Sequence, residues 1–364
     1  MKGERRLSRS PYMEWAKRHA AAPYDLATSG VVSFPLAELS VTLDDLEITG
    51  TAGYGYAPLQ ERLAARCRVP AECVVAATGT SMANYLAMAA LIEPGDEVLI
   101  EEPTYELLVR TASYLGAEVR RFVRRPEDGF AIDPEAVDRA IGPRTRLVVV
   151  TNLHNPSSVR ATDETLSRVA QVTRSRGARL LVDEVYLEAC FDAEARSAFH
   201  LGPGIVTTAS LTKAYGLSGL RCGWVLAEAS LAERMWRLWD LHGASAAHPA
   251  ERLSVVALDH LPAIRERARA LLERNRALLT DALSSRKDLA VVWPDAGTTL
   301  FPRLLGGRVD DLCHELRERR ETSVVPGRFF DAPDHFRVGI GGPTPIVAEG
   351  LARVVRVLEE GGGA

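Results

Sequence analysis

The stretch Cys73-Val-Val-Ala-Ala-Thr-Gly-Thr-Ser-Met-Ala-Asn-Tyr-Leu-Ala-Met-Ala-Ala-Leu-Ile-Glu-Pro-Gly-Asp-Glu-Val-Leu-Ile100 decides the architecture. Val74 to Ala77 is a short apolar run of strand type. Thr78-Gly79-Thr80 leads it into an Ala/Met-rich helix, which Pro94-Gly95-Asp96 breaks before Glu97 to Ile100 begins the next strand. Working outward, the alternation repeats. A helix starts near Pro103, Glu118 to Val123 is strand-like, and Arg146 to Thr151 is a β-branched run. A helix from about Thr162 to Arg176 stops at Gly177, and Arg179 to Val182 and Ile205 to Thr208 are further strands. Short apolar runs alternating with amphipathic helices predict an α/β fold with a mostly parallel sheet covered on both faces.

The flanks read differently. Pro11 to Ala20 predicts a short helix ending before Pro23. Irregular chain follows, then turns around Gly50, Gly53 and Gly55, and a helix from Pro58 to about Arg66. After His248-Pro249 a long Arg/Leu/Ala-rich helix runs to about Ser285, interrupted near Pro262. Short strands near Val291, Leu300, Val324 and Phe336 and a helix from about Pro345 to Glu359 complete a smaller α/β lobe. The division expected is 1–45 as an arm and segment packing with the smaller lobe, 46–248 as the larger domain, and 249–364 as the smaller C-terminal domain.

Composition excludes several classes. At 364 residues, two lobes are the default, and 46% apolar with 25% charged residues is ordinary for a globular protein. A formal charge of −4 gives no footprint for nucleic acid, and no apolar run is long enough for a membrane span. Met1 to Ser10 is basic and polar, lacks the apolar core of a secretory signal, and reads as a solvated arm. Cys67, Cys73, Cys190, Cys222 and Cys313 are odd in number and scattered. They argue against a disulfide framework or structural zinc, and for a reducing compartment, most simply the cytoplasm. Only four of the 44 basic residues are lysine: Lys2, Lys17, Lys213 and Lys287. Lys213 therefore stands out.

Ligands of such sheets sit beyond the carboxyl ends of the strands. Thr78-Gly79-Thr80-Ser81 joins strand to helix, where free N–H groups favour a phosphate, although any capped helix can look so. Asn155-Pro156 ends another strand, as plain turns also do. Asp183 follows the strand Arg179 to Val182, placed to face a cationic ring nitrogen, while Glu184 reads as solvated. Ser210 and Lys213 open Ser210-Leu-Thr-Lys-Ala-Tyr-Gly-Leu-Ser-Gly-Leu-Arg-Cys-Gly-Trp224, a Gly- and Ser-rich loop that suits a phosphate and an aldehyde. His154 reads as a loop-packing residue. His200, His242 and His248 lack metal-ligand spacing, so no metal is expected, and Trp236 and Trp239 read as core or interface.

The ordered set Thr-Gly-Thr-Ser, Asn-Pro-Ser-Ser, Asp-Glu-Val-Tyr and Ser-x-x-Lys with Arg221 eight residues on resembles the class I/II aminotransferases of the aspartate aminotransferase superfamily. The resemblance runs from about Leu26 to the final helix. It implies fold type I, pyridoxal 5'-phosphate (PLP) as cofactor, and a homodimer with shared active sites. It implies that Lys213 holds the PLP aldehyde as a Schiff base and moves the substrate proton. Asp183 would keep the pyridine nitrogen protonated, with Asn155 and Tyr186 on the ring hydroxyl oxygen. Tyr105 and Val185 would pack on the two ring faces, and Thr80, Ser81, Ser210 and Arg221 would hold the phosphate. Arg337, in His335-Phe-Arg337-Val-Gly, would grip the substrate carboxylate, with Gly30 and Asn155 beside it. Tyr54 would reach the neighbouring subunit's phosphate.

Two departures stand out: Ser158 replaces a family glycine, and the region before Pro58 is short. The activity implied is transamination between an amino acid donor and a 2-oxo acid acceptor through pyridoxamine phosphate. The alternatives are a PLP-dependent lyase, cyclase or decarboxylase on the same fold, or a non-catalytic PLP-binding homologue.

Overall fold

The computed structural model describes residues 9–50, 53–192 and 195–361. The stretch read as a solvated arm thus lies, up to residue 8, outside the described residues. After β1 (Tyr24–Asp25) come β2 (Val74–Thr78), β3 (Glu97–Glu102), β4 (Glu118–Val123), β5 (Thr145–Thr151), β6 (Arg179–Asp183), β7 (Ile205–Ser210) and β8 (Cys222–Leu226). The last seven form one sheet in the order β2-β8-β7-β6-β5-β3-β4. Its central pairs are parallel, whereas β8 runs antiparallel to both β2 and β7.

Burial on both faces explains why these strands read as unbroken apolar runs. Leu147 and Val149 of β5 enter one core, while Val148 and Val150 enter the other. In β6, Leu181 joins the first core, Leu180 and Val182 the second. Each such side chain contributes about 1.5–3 kcal/mol by leaving water. The helix Asp163–Ser175 is capped by Thr162, whose hydroxyl accepts from Thr165 N at 3.1 Å, and Gly177 at φ +75° ends it.

One strand was not legible. The segment from Ser210 to Trp224 reads as a single loop, yet β7 reaches Ser210 and Cys222 opens β8. Gly223 is the physical reason. A Cβ there would lie 2.6 Å from the Gly79 carbonyl carbon, so glycine permits an approach that composition alone reads as loop.

The smaller α/β C-terminal domain contains the helices His248–Asp259 and Leu261–Leu283, separated at His260. Pro262 sits in the first turn of the second helix, where it restarts the helix instead of bending one. Strands Thr299–Leu300, Phe336–Gly339 and Val325–Pro326 form an antiparallel sheet with Phe336–Gly339 in the middle, and the helix Thr344–Gly361 follows. The segment from Ser10 to Asp25 is tied in from both sides. β1 pairs in parallel with Thr322–Ser323, and the helix Pro11–Arg18 is anchored by Ser10 Oγ and Tyr12 N donating to Glu106 Oε2 at 2.6 and 2.9 Å. All five cysteines are free thiols. Among the described residues no helix is long and apolar enough to cross a membrane, and no His/Cys/Asp/Glu group could hold a metal.

Candidate active site

The sheet brings the sequence-marked residues to one edge. Register sets Asp183 between Thr151 and Thr208, and β2 and β7 end alongside at Thr78 and Ser210. Over these ends lies a cavity of about 380 Å³. Thr80, Ser81, Tyr105, Asn155, Asp183, Val185, Tyr186, Ser210, Lys213, Arg221 and Arg337 all line it.

At one end, the helix Thr80–Leu91 starts at Gly79 with no side-chain cap, so its first N–H groups are free. Thr80 Oγ1 is buried without a hydrogen-bond partner. Arg221 Nη2 donates to the Thr78 carbonyl at 3.2 Å and Nη1 to the Ser218 carbonyl at 3.2 Å. A Cβ on Gly79, which stands at φ +85°, would lie 2.3 Å from Arg221 Nη2. Glycine is thus required for the guanidinium to reach the helix start, and the free N–H groups, orphaned hydroxyl and cation together suit a phosphate.

In the middle, Asp183 is buried. Its Oδ2 accepts from Asn84 Nδ2 at 2.8 Å and its Oδ1 from Val185 N at 3.0 Å. Burial pushes its pKa up to about 6 despite these bonds, so the carboxylate lacks a full countercharge, which a protonated ring nitrogen would supply. Thr208 Oγ1 donates to Asn84 Oδ1 at 2.6 Å and fixes the amide. Sequence reading missed Asn84, although a lone asparagine amid the apolar residues of Thr-Ser-Met-Ala-Asn-Tyr-Leu-Ala-Met-Ala-Ala-Leu is a legible signal, and the structure buries it. Asn84→Ala is expected to weaken PLP binding about tenfold, measured by titrating the cofactor-free protein. An unchanged affinity would mean that Asn84 does not hold Asp183.

Lys213 Nζ donates to Ser29 Oγ at 3.0 Å. Gly30 is outside the cavity lining and instead backs the lysine: its Cβ would sit 3.4 Å from Lys213 Cδ, and Val31 N donates to the Lys213 carbonyl at 2.8 Å. Desolvation, reinforced by Arg337 and Arg221 against the pull of Tyr12 and Asp183, holds the amine below the ordinary lysine range. Burial pushes the Tyr186 phenol up, leaving it a neutral donor.

Arg337 is fully buried on the central strand of the small sheet, not a surface arginine. Nη1 donates to Asn155 Oδ1 at 3.0 Å, and Nη2 to Tyr12 OH and the Ala27 carbonyl, each at 3.1 Å. Its Nε has no partner, and among the described residues its hydrogen-bond partners include no carboxylate. A buried guanidinium without an anion is costly, so this group suits an incoming carboxylate. Tyr12 and Ser29 went unmarked in the sequence, where neither an amphipathic helix nor an irregular segment flags a site.

Three readings change or stay local. Glu184 is buried rather than solvated, with Oε1 accepting from Ala198 N at 2.6 Å. Tyr54 is exposed outside this cavity, its hydroxyl donating to Asp240 Oδ2 at 3.0 Å. His154 is buried behind the site, with Nδ1 and Nε2 at 2.6 Å from Ser157 Oγ and 2.8 Å from the Pro103 carbonyl oxygen.

Ser158 does adopt the left-handed conformation that glycine favours, at φ +61°. Its hydroxyl compensates by bonding Thr299 Oγ1 at 2.9 Å and accepting from Thr299 N at 3.3 Å, joining the Asn155 loop to the small domain. The hydrogen bonds outweigh the strain. Ser158→Gly is therefore expected to destabilise by about 1 kcal/mol, read from denaturant midpoints, and a gain in stability would reverse that ranking.

The chain belongs to the class I and II aminotransferases, whose family model matches residues 41–354. It is 33% identical to capreomycidine synthase of Streptomyces vinaceus, over 98% of this chain and 95% of that protein. It is 30% identical to the arginine–pyruvate transaminase of Pseudomonas aeruginosa, over 84% and 82% respectively. The solved PLP-dependent cyclase OrfR superposes with a TM-score of 0.88 at 28% identity, covering 98% of each chain. The protein is accordingly a PLP-dependent enzyme of fold type I, and the residues lining its cavity fit that cofactor.

Proposed function

We propose that the protein transfers an amino group between an amino acid and a 2-oxo acid, with Lys213 as its covalent anchor and proton carrier. The observation that carries the proposal is a single cavity holding a lysine of lowered basicity and a buried arginine without an anion. When bound, PLP supplies an electron sink that makes the substrate Cα–H bond acidic.

The chain's own residues do the rest. Gly79, Thr80, Ser81, Ser210 and Arg221 hold the phosphate, Asp183 faces the ring nitrogen, and Tyr105 and Val185 enclose the ring. Asn155 and Tyr186 donate to the ring oxygen. Arg337 receives the substrate carboxylate at its unpartnered Nε, and so fixes which Cα bond points where it can break. The Lys213 amine, in its unprotonated form, takes the proton from Cα, and its held position lets it return the proton to one side only. Tyr54, on the exposed surface, is assigned to a neighbouring subunit's phosphate in a homodimer.

Asp183 makes cofactor capture pH-dependent. Below about pH 6 its carboxyl is protonated in the cofactor-free protein and loses its pull on a cationic ring nitrogen. PLP affinity should be near constant from pH 7 to 8 and fall progressively below 6, as equilibrium titration would record. Affinity that rises on acidification would contradict this role.

A second reading is intramolecular cyclisation of an amino acid that bears a leaving group at Cβ. The Cα proton passes to Lys213, the Cβ leaving group departs, a side-chain nitrogen bonds Cβ and loses its proton, and Cα is reprotonated, so the product stays at the substrate's redox level. The near full-length likeness to the PLP-dependent cyclase OrfR favours this reading, since the transaminase relative matches over less of its length. One experiment separates the two: a single turnover without a 2-oxo acid. Transamination predicts one equivalent of keto acid and of pyridoxamine phosphate per active site. A cyclic amino acid, with the cofactor returned as PLP, would replace the first reading by the second.

A further inference from the structure

The charged groups lining the cavity form a short inventory, and one of them has no role in the chemistry above. Among the described residues they are Lys213, Arg221, Arg337, Asp183 and Asp25. Lys213, Arg221 and Arg337 are assigned to the aldehyde, the phosphate and the substrate α-carboxylate, which leaves no cation for a second, side-chain carboxylate. Asp183 is enclosed by Asn84 and Val185. Asp25 remains, only partly buried.

Its geometry is that of a held receptor. Ala27 N, Thr28 N and Ser323 Oγ donate to the same oxygen, Oδ1, at 2.7, 3.2 and 3.2 Å. Oδ2 receives no hydrogen bond from the described residues, and no ion pair engages the carboxylate. The backbone is fixed as well, because Asp25 pairs with Ser323. Ala27 ties this acid to the carboxylate grip: its N–H donates to Asp25 while its carbonyl accepts from Arg337 Nη2. Met13, Trp15, Ala16 and Ala20 of the N-terminal segment line the same cavity and offer apolar surface for a methylene chain.

We propose that the substrate is an α-amino acid with a long side chain ending in a cation, guanidinium or ammonium, and that Asp25 Oδ2 receives this end. The proposal rests on the reading of the cavity as an amino-acid site and adds its selectivity. A charge-assisted bond to an oriented carboxylate separates a cationic side chain from its neutral isostere by tenfold or more.

The test uses the PLP-loaded enzyme and follows exchange of the substrate α-hydrogen with deuterium from the solvent. Arginine, lysine, citrulline (the neutral isostere of arginine), leucine and glutamate are compared by kcat/KM. Arginine or lysine is expected to lead, with arginine at least tenfold above citrulline. Asp25→Asn keeps an oxygen for the three Oδ1 bonds and removes the charge, and it should lower the arginine-to-citrulline ratio at least tenfold. Preference for glutamate or leucine, or a ratio unmoved by Asp25→Asn, would overturn the proposal while leaving amino-acid chemistry intact. Exchange with none of the five would instead sink the amino-acid reading itself. If Asp25→Asn fails to load PLP, the wild-type arginine-to-citrulline ratio decides alone.

Discussion

Lys213→Ala is expected to lower the rate of substrate Cα–H exchange by at least about 10³-fold, the scale of a positioned proton carrier that also anchors the cofactor. The loss should fall on the chemical step. The helix start at Gly79, the Thr80 hydroxyl and Arg221 do not depend on the lysine, so the variant should still take up PLP noncovalently. No other lysine lines the cavity among the described residues, so none can substitute. The measurement is deuterium exchange at Cα under single-turnover conditions, together with the cofactor absorbance of the bound form. Retained exchange would assign the proton to another group, with the Tyr12, Tyr105 and Tyr186 hydroxyls in the cavity wall as candidates.

Arg337→Ala should lower kcat/KM for amino acids by about 10² to 10³-fold, corresponding to the few kcal/mol lost when one partner of a buried charged pair is truncated. The same substitution strips partners from Asn155 Oδ1, Tyr12 OH and the Ala27 carbonyl, so some loss of stability is expected too. Two controls separate recognition from folding. Arg337→Lys keeps the charge but not the planar fork, and should fall between wild type and alanine. An amine lacking the α-carboxylate should react poorly with wild type and lose little more in Arg337→Ala. A variant that lost both substrates equally would reduce Arg337 to a structural residue.

Much of the site was legible because its residues sit at strand ends. Asp183, Ser210 and Asn155 lie at or just beyond apolar runs that read as strands, and sheet register brings them to one edge. Lys213 was conspicuous because lysine is so scarce in this chain. What stayed hidden depends on contacts between segments distant in sequence. Nothing near Tyr12 announces that its hydroxyl meets an arginine 325 positions later. Asp25 looks like an ordinary polar residue until β1 pairs with Thr322–Ser323 and leaves one of its carboxylate oxygens unbonded. The antiparallel strand β8 escaped because its glycine, needed for close approach to Gly79, reads locally as a turn. Ser158 is the instructive intermediate case: its place at a family glycine was visible, but neither its left-handed backbone nor the Thr299 partner that makes serine workable there was.

The covalent anchor is tested most directly by reducing the PLP-loaded enzyme with borohydride and mapping the labelled peptide. The account predicts one equivalent of pyridoxyl label on the peptide spanning Ser210 to Arg221, attached to Lys213. Label on Lys17 or Lys287, or protein that binds PLP yet carries no reducible linkage, would contradict it.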